Sequence, residues 1–94
     1  MSASALASVH VTSNLTRHTE CPTETLPAGT VAELLERYFE RWPAVRSFVL
    51  DDQGEVRKHI KVLVDGRNLR DRRALSDGLA ENSEVYVFQA LSGG

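Results

Sequence analysis

Between Val31 and Trp42 the apolar residues Val31, Leu34, Leu35, Tyr38, Phe39 and Trp42 fall at i, i+3, i+4, i+7, i+8 and i+11. That is one unbroken stripe at the helical period. Glu33, Glu36, Arg37, Glu40 and Arg41 occupy the opposite side. Thr30 stands where a helix needs its N-cap, and Glu33, three residues on, completes the pattern of a capping box. Pro43 ends the helix at Arg41 or Trp42. So short a helix is marginal alone in water, so the stripe requires a surface to dock on. No other segment carries the pattern, and the surface must therefore be a sheet.

Strands are indeed predicted on both sides of the helix. Residues 5–13 alternate, with Ala5, Ala7, Val9 and Val11 on one face and Ser8, His10 and Thr12 between them, the period of a half-buried strand. Asn14 to Arg17 would turn the chain. A second strand is expected over His18 to Thr25, held to an edge or a bulge by Pro22. After the helix, Val45 to Leu50 is expected as a third strand, followed by the turn Asp51-Asp52-Gln53-Gly54. His59 to Val64 follows, with Ile60, Val62 and Val64 on one face, and Asp65-Gly66 is a further turn signal. Residues 68–82 are irregular. Glu84 to Gln89 is the last strand, and its apolar residues on both faces mark it as central.

Two hairpins joined by a crossover helix that covers one side of a mixed sheet define an α+β layout, the β-grasp (ubiquitin-like) roll. It comprises about five strands on one main helix. A single domain over residues 1–90 is expected, with 91–94 as a separate C-terminal tail. The 94 residues are 41% hydrophobic and 26% charged, enough for one small core and no deep pocket. A net charge of −2 argues against a nucleic-acid partner. Arg67, Arg70, Arg72 and Arg73, offset by Asp65 and Asp71, are expected to be a solvated loop. No stretch approaches a membrane span. Met1 to Leu6 lacks a secretory leader, so the Asn14-Leu15-Thr16 glycosylation pattern is idle and a cytoplasmic protein is expected. The lone Cys21 allows no internal disulfide, and nothing beside it would hold a reactive thiolate.

The chain carries no phosphate-binding loop, dinucleotide motif, zinc-ligand spacing or nucleophile elbow. His10, His18 and His59 are far apart and are expected on strand surfaces rather than as ligands or bases. No catalytic residue, metal site or cofactor is expected, and the chain is not predicted to be an enzyme. What stands out is the ending Ala90-Leu91-Ser92-Gly93-Gly94. Two glycines add nothing to a core, but they make a thin tail whose last carbonyl no side chain crowds. Such a tail suits a carboxylate that threads into another protein's active site. A carboxylate is a poor acyl donor until an enzyme adenylates it, after which sulfide or an amine displaces AMP.

The segments Ser47–Gly54, Ile60–Leu69 and Glu84–Gly94 resemble the MoaD/ThiS family of ubiquitin-like sulfur carrier proteins, most closely its MoaD-like and CysO-like branch. The resemblance implies that Gly94 is adenylated by an E1-like (MoeB/ThiF-type) enzyme. It is then converted to a thiocarboxylate that gives sulfur to a biosynthetic enzyme of cofactor or amino-acid synthesis. Gly93 and Ser92 would form the tail. Phe88 and Leu91, with Ala90 between them, would meet the partner. The alternative role is that of a modifier joined to lysines through Gly94, for which a JAMM-type metalloprotease is a further partner. Gln89 stands where the family often has proline, and Asn82-Ser83 replaces its usual Asp-Gly turn.

Overall fold

A computed structural model describes residues 5–11 and 22–89. The described elements run β1 (Leu6–Val11), β2 (Glu24–Pro27), α1 (Val31–Arg41), α2 (Pro43–Val49), β3 (Ile60–Val64), β4 (Arg67–Asn68) and β5 (Ser83–Gln89). The strands form one sheet in the order β2-β1-β5-β3-β4. β1 and β5 are parallel, and the other neighbours are antiparallel. The expected mixed sheet is present, with the last strand at its centre beside the first.

Strand alternation sets which face is buried. Ala7, Val9 and Val11 of β1, Ile60 and Val62 of β3, and Val85 and Val87 of β5 are all buried. They meet Val31, Leu34, Leu35, Tyr38 and Phe39 of α1, which are buried too. Trp42, the sixth residue of the stripe, is half-buried and caps the C-terminus of α1 with its backbone N–H on the Tyr38 carbonyl. Its indole donates to Glu24 Oε2 at 2.8 Å, and Arg41 Nε donates to the same oxygen at 2.9 Å. These two bonds, Trp42 first, hold the Glu24 carboxyl below its ordinary value and tie the edge strand to the helix end.

The helix start is satisfied in a way that only the fold supplies. Thr30 Oγ1 accepts from the Glu33 N–H at 3.2 Å, as the capping box predicts. The reciprocal bond lands one residue earlier, with Glu33 Oε1 accepting from the Gly29 N–H at 2.7 Å. The remaining orphan donors of the first turn go to the irregular segment. Val31 N–H donates to the Asp77 carbonyl at 3.0 Å and Ala32 N–H to that of Leu75 at 2.8 Å.

Three expectations are corrected. First, Val45–Leu50 is not a strand: Pro43–Val49 is α2. Val45 and Val49, one helical turn apart, are both fully buried, and Pro43 sits at the helix start, where its missing N–H costs no bond. Among the described residues there are therefore two helices, and the second hairpin is β3–β4 across Asp65-Gly66 rather than 45–50 with 60–64. Second, β2 begins at Glu24, later than expected. It is an edge strand, but Pro22 lies before it and Leu26 and Pro27 belong to it. The turn at Asn14–Arg17, and with it His18 and Cys21, lies outside the described residues. Third, Arg72 is not a solvated loop charge. Its guanidinium donates to the carbonyls of Arg57 at 2.7 Å and Ile60 at 2.9 Å, pinning the irregular segment to the start of β3.

Candidate functional site

β5 is the element that leads toward Gly94, and its alternation decides what surrounds the tail's root. Val85 and Val87 face the helices. Glu84, Tyr86 and Phe88 therefore face the other way, onto a side of the sheet that no described helix covers. Tyr86 is 43% exposed and Phe88 half-buried. Leu63 and Lys61 of β3 stand opposite Tyr86 and Phe88, and His10 of β1 stands opposite Tyr86 on the other flank. The result is a mostly apolar band, His10–Tyr86–Leu63, with Phe88 and Lys61 one step closer to the tail.

Of the residues expected to meet a partner, the structure places Phe88 on this face. Gln89 pairs with Ile60 at the sheet's end. Ala90, Leu91, Ser92, Gly93 and Gly94 lie outside the described residues. Tyr86 and Glu84 are residues that the sequence did not single out, and they gather around His10, which was expected only on a strand surface. His10 and Tyr86 stack with ring centroids 4.4 Å apart at 12°. His10 Nε2 is hydrogen-bonded to Glu84 Oε1, and its Nδ1 lies 3.2 Å from Thr23 Oγ1. Their shared parity was visible in the sequence, but only the parallel pairing of β1 with β5 brings them together.

The opposite end of β5 is anchored. The Ser83 hydroxyl, 2% exposed, donates to Asp65 Oδ2 at 2.8 Å and accepts from the Ala80 N–H at 2.9 Å. Asp65 Oδ1 also accepts from the Glu84 N–H at 2.9 Å. The Glu84 N–H first, then the Ser83 hydroxyl, lowers the Asp65 carboxyl from its ordinary value. Nearby, a cleft of about 720 Å³ is lined by Arg67, Arg70, Asp71 and Asp77, among others. Its acids serve the loop itself. Asp77 accepts from the N–H groups of Arg70 and Asp71, both at 2.9 Å, and Asp71 accepts from Ala74 N–H at 2.9 Å and Ser76 Oγ at 2.6 Å. Among the described residues no three His, Cys, Asp or Glu side chains gather as a metal site. No described helix is long and apolar enough to cross a membrane.

A five-stranded mixed sheet with helices on one face and an open aromatic band on the other defines a ubiquitin-like β-grasp protein. The crystal structure of SAMP1 from Haloferax volcanii has this fold, superposing with a TM-score of 0.78 at 26% identity over 96% of this chain and 100% of that one. The chain belongs to the ThiS family, whose model matches residues 15–94. Small archaeal modifier protein 1 of Haloferax volcanii is 35% identical over 66 residues, which make up 70% of this chain and 71% of the relative. The crystal structure of the Amycolatopsis orientalis BexX/CysO complex contains a chain of the same fold, with a TM-score of 0.77 at 18% identity over 94% of this chain and 99% of that one. The resemblance to the MoaD/ThiS proteins and the β-grasp class are thus both borne out. Such family members are small carriers and modifiers.

Proposed function

We propose that the chain is a sulfur carrier whose reactive group is the Gly94 carboxylate. An E1-like (MoeB/ThiF-type) enzyme docks on the band formed by Tyr86 and Phe88 and receives the tail. The carboxylate oxygen attacks the α-phosphorus of ATP and pyrophosphate leaves. Hydrosulfide then attacks the acyl carbon, AMP leaves, and Gly94 becomes a thiocarboxylate whose sulfur passes to a biosynthetic acceptor enzyme. Among the described residues none is assigned as a general base or metal ligand in these steps. Its part is to hold one acyl group away from the body of the domain and to present the face beside it.

The observation that carries this reading is the family match reaching Gly94, together with the outward-facing Tyr86 and Phe88 on β5, the strand that precedes it in the chain. The 35% identity to a protein named as a modifier favours a second reading, in which a lysine ε-amine displaces AMP and an isopeptide bond forms. Incubation with ATP and the cognate adenylating enzyme, followed by intact mass measurement, separates the two. Replacement of one oxygen by sulfur on the free protein supports the carrier, and lysine-linked conjugates support the modifier. A chain lacking Gly93 and Gly94 should melt like the full chain yet gain neither product. If that truncated chain still acquires sulfur, Gly94 is not the reactive residue.

A further inference from the structure

Tyr86 is the most exposed ring on the helix-free face, and its orientation is set by its neighbours. His10, paired with it across β1 and β5, lies flat against the ring at 4.4 Å and 12°. The imidazole is itself held at both nitrogens. A carboxylate only accepts, so His10 Nε2 carries the proton given to Glu84 Oε1, and Nδ1 is left to the Thr23 hydroxyl. The clamp draws on β1, on β5 and on the residue just before β2. None of its members belongs to the core, which lies beneath Val9, Val85 and Val87. Three polar or aromatic side chains are therefore committed to fixing one ring on a surface.

We propose that His10, clamped by Glu84 and Thr23, is a positioning residue that presents Tyr86 to the adenylating enzyme in its bound orientation. The proposal rests on the docking assigned to this face above. A tyrosine free to rotate loses rotamer freedom on binding, and that loss weakens affinity. A ring already stacked has lost it during folding. Glu84 acts through His10, and His10 acts through Tyr86.

The test is a double-mutant cycle on the full chain, with calorimetric affinity for the cognate adenylating enzyme as the readout. His10→Ala is expected to weaken binding about 3–10-fold, and Tyr86→Ala to weaken it further. The double variant should bind no more weakly than Tyr86→Ala alone, because His10 has no role once the ring is gone. Glu84→Ala should match His10→Ala, whereas Glu84→Gln, which still accepts from Nε2–H, should keep affinity near wild type. Side-chain couplings measured by NMR should give one Tyr86 rotamer in the wild type and an average in His10→Ala. Additive losses in the cycle, or an unchanged Tyr86 rotamer in His10→Ala, overturn the proposal. Phe88→Asp distinguishes it from the reading beneath it. If Phe88→Asp abolishes binding while His10→Ala and Glu84→Ala do not weaken it, only the positioning role falls. If Phe88→Asp binds like wild type, the docking face falls as well.

Discussion

Asp65, in the turn between β3 and β4, holds Ser83 at the start of β5, with the Ser83 hydroxyl donating to Asp65 Oδ2 at 2.8 Å. The bond joins two residues 18 positions apart and fixes where the central strand begins. Ser83 is also the acceptor for the Ala80 N–H, so removing its hydroxyl strips partners from two groups. Ser83→Ala is expected to lower stability by about 1–2 kcal/mol, read as a shifted urea midpoint with an unchanged slope.

The same turn makes a backbone demand. Asp65 and Gly66 have φ of 51° and 85°, and positive φ at both central residues is what a two-residue type I′ hairpin turn requires. A Cβ on Gly66 would meet nothing within 4 Å, so any penalty is conformational rather than steric crowding. Gly66→Ala should cost about 1–2 kcal/mol, whereas Gly66→Asn, which tolerates the left-handed region, should cost less. Equal losses for both variants in chemical denaturation would contradict this account.

Asp71 sets an acid limit on the irregular segment. The Ser76 hydroxyl, then the Ala74 N–H, lowers its carboxyl from 3.8 to about 2. A carboxyl whose pKa is depressed by folding contributes stability that is fully present above its unfolded value. That contribution is lost as pH falls from about 4 through about 2. Asp65 and Glu24 are shifted in the same direction. Asp71→Ala should therefore melt below the wild type at neutral pH, and the gap should narrow as pH approaches 2. Melting curves over that range check it, and a constant gap would exclude the linkage.

Phe88 belongs to the surface rather than to the core. Phe88→Asp is expected to lower stability by only about 1 kcal/mol, the scale of strand preference. It should weaken binding to the adenylating enzyme by at least about tenfold, because a charge would be desolvated at an apolar contact. Leu34→Ala reverses the pattern. Leu34 is fully buried in α1, so its truncation should cost about 3 kcal/mol and leave the docking face intact. Denaturation and calorimetry on both variants read the two effects separately.

Period and punctuation made much of this chain legible. The stripe from Val31 to Trp42 could only be an amphipathic helix, and the alternations in β1 and β3 assigned their buried faces before any contact was known. The run from Val85 to Phe88 required a central strand, because an edge position would leave it uncovered. The error at Val45–Leu50 has a specific source. Val45 and Val49 fit both one helical turn and an alternating strand, and the run is too short for period alone to decide. Pro43 reads as the end of α1, although the same residue is well suited to open α2. Tertiary packing chose the helix, and in it both Val45 and Val49 are fully buried.

Local spacing determined the helix, the strands that alternate, the turns at Asp51–Gly54 and Asp65-Gly66, and the kinship of the diglycine ending. The tertiary structure decided the rest, because each remaining feature joins residues distant in the chain. Laying β1 parallel to β5 sets His10 against Tyr86 and Glu84, across more than 70 positions. The fold also turns the carbonyls of Leu75 and Asp77 into caps for α1 and the Arg72 guanidinium into a brace for β3. No periodicity encodes such pairs, since a side chain's period names its face but not the strand that will lie beside it.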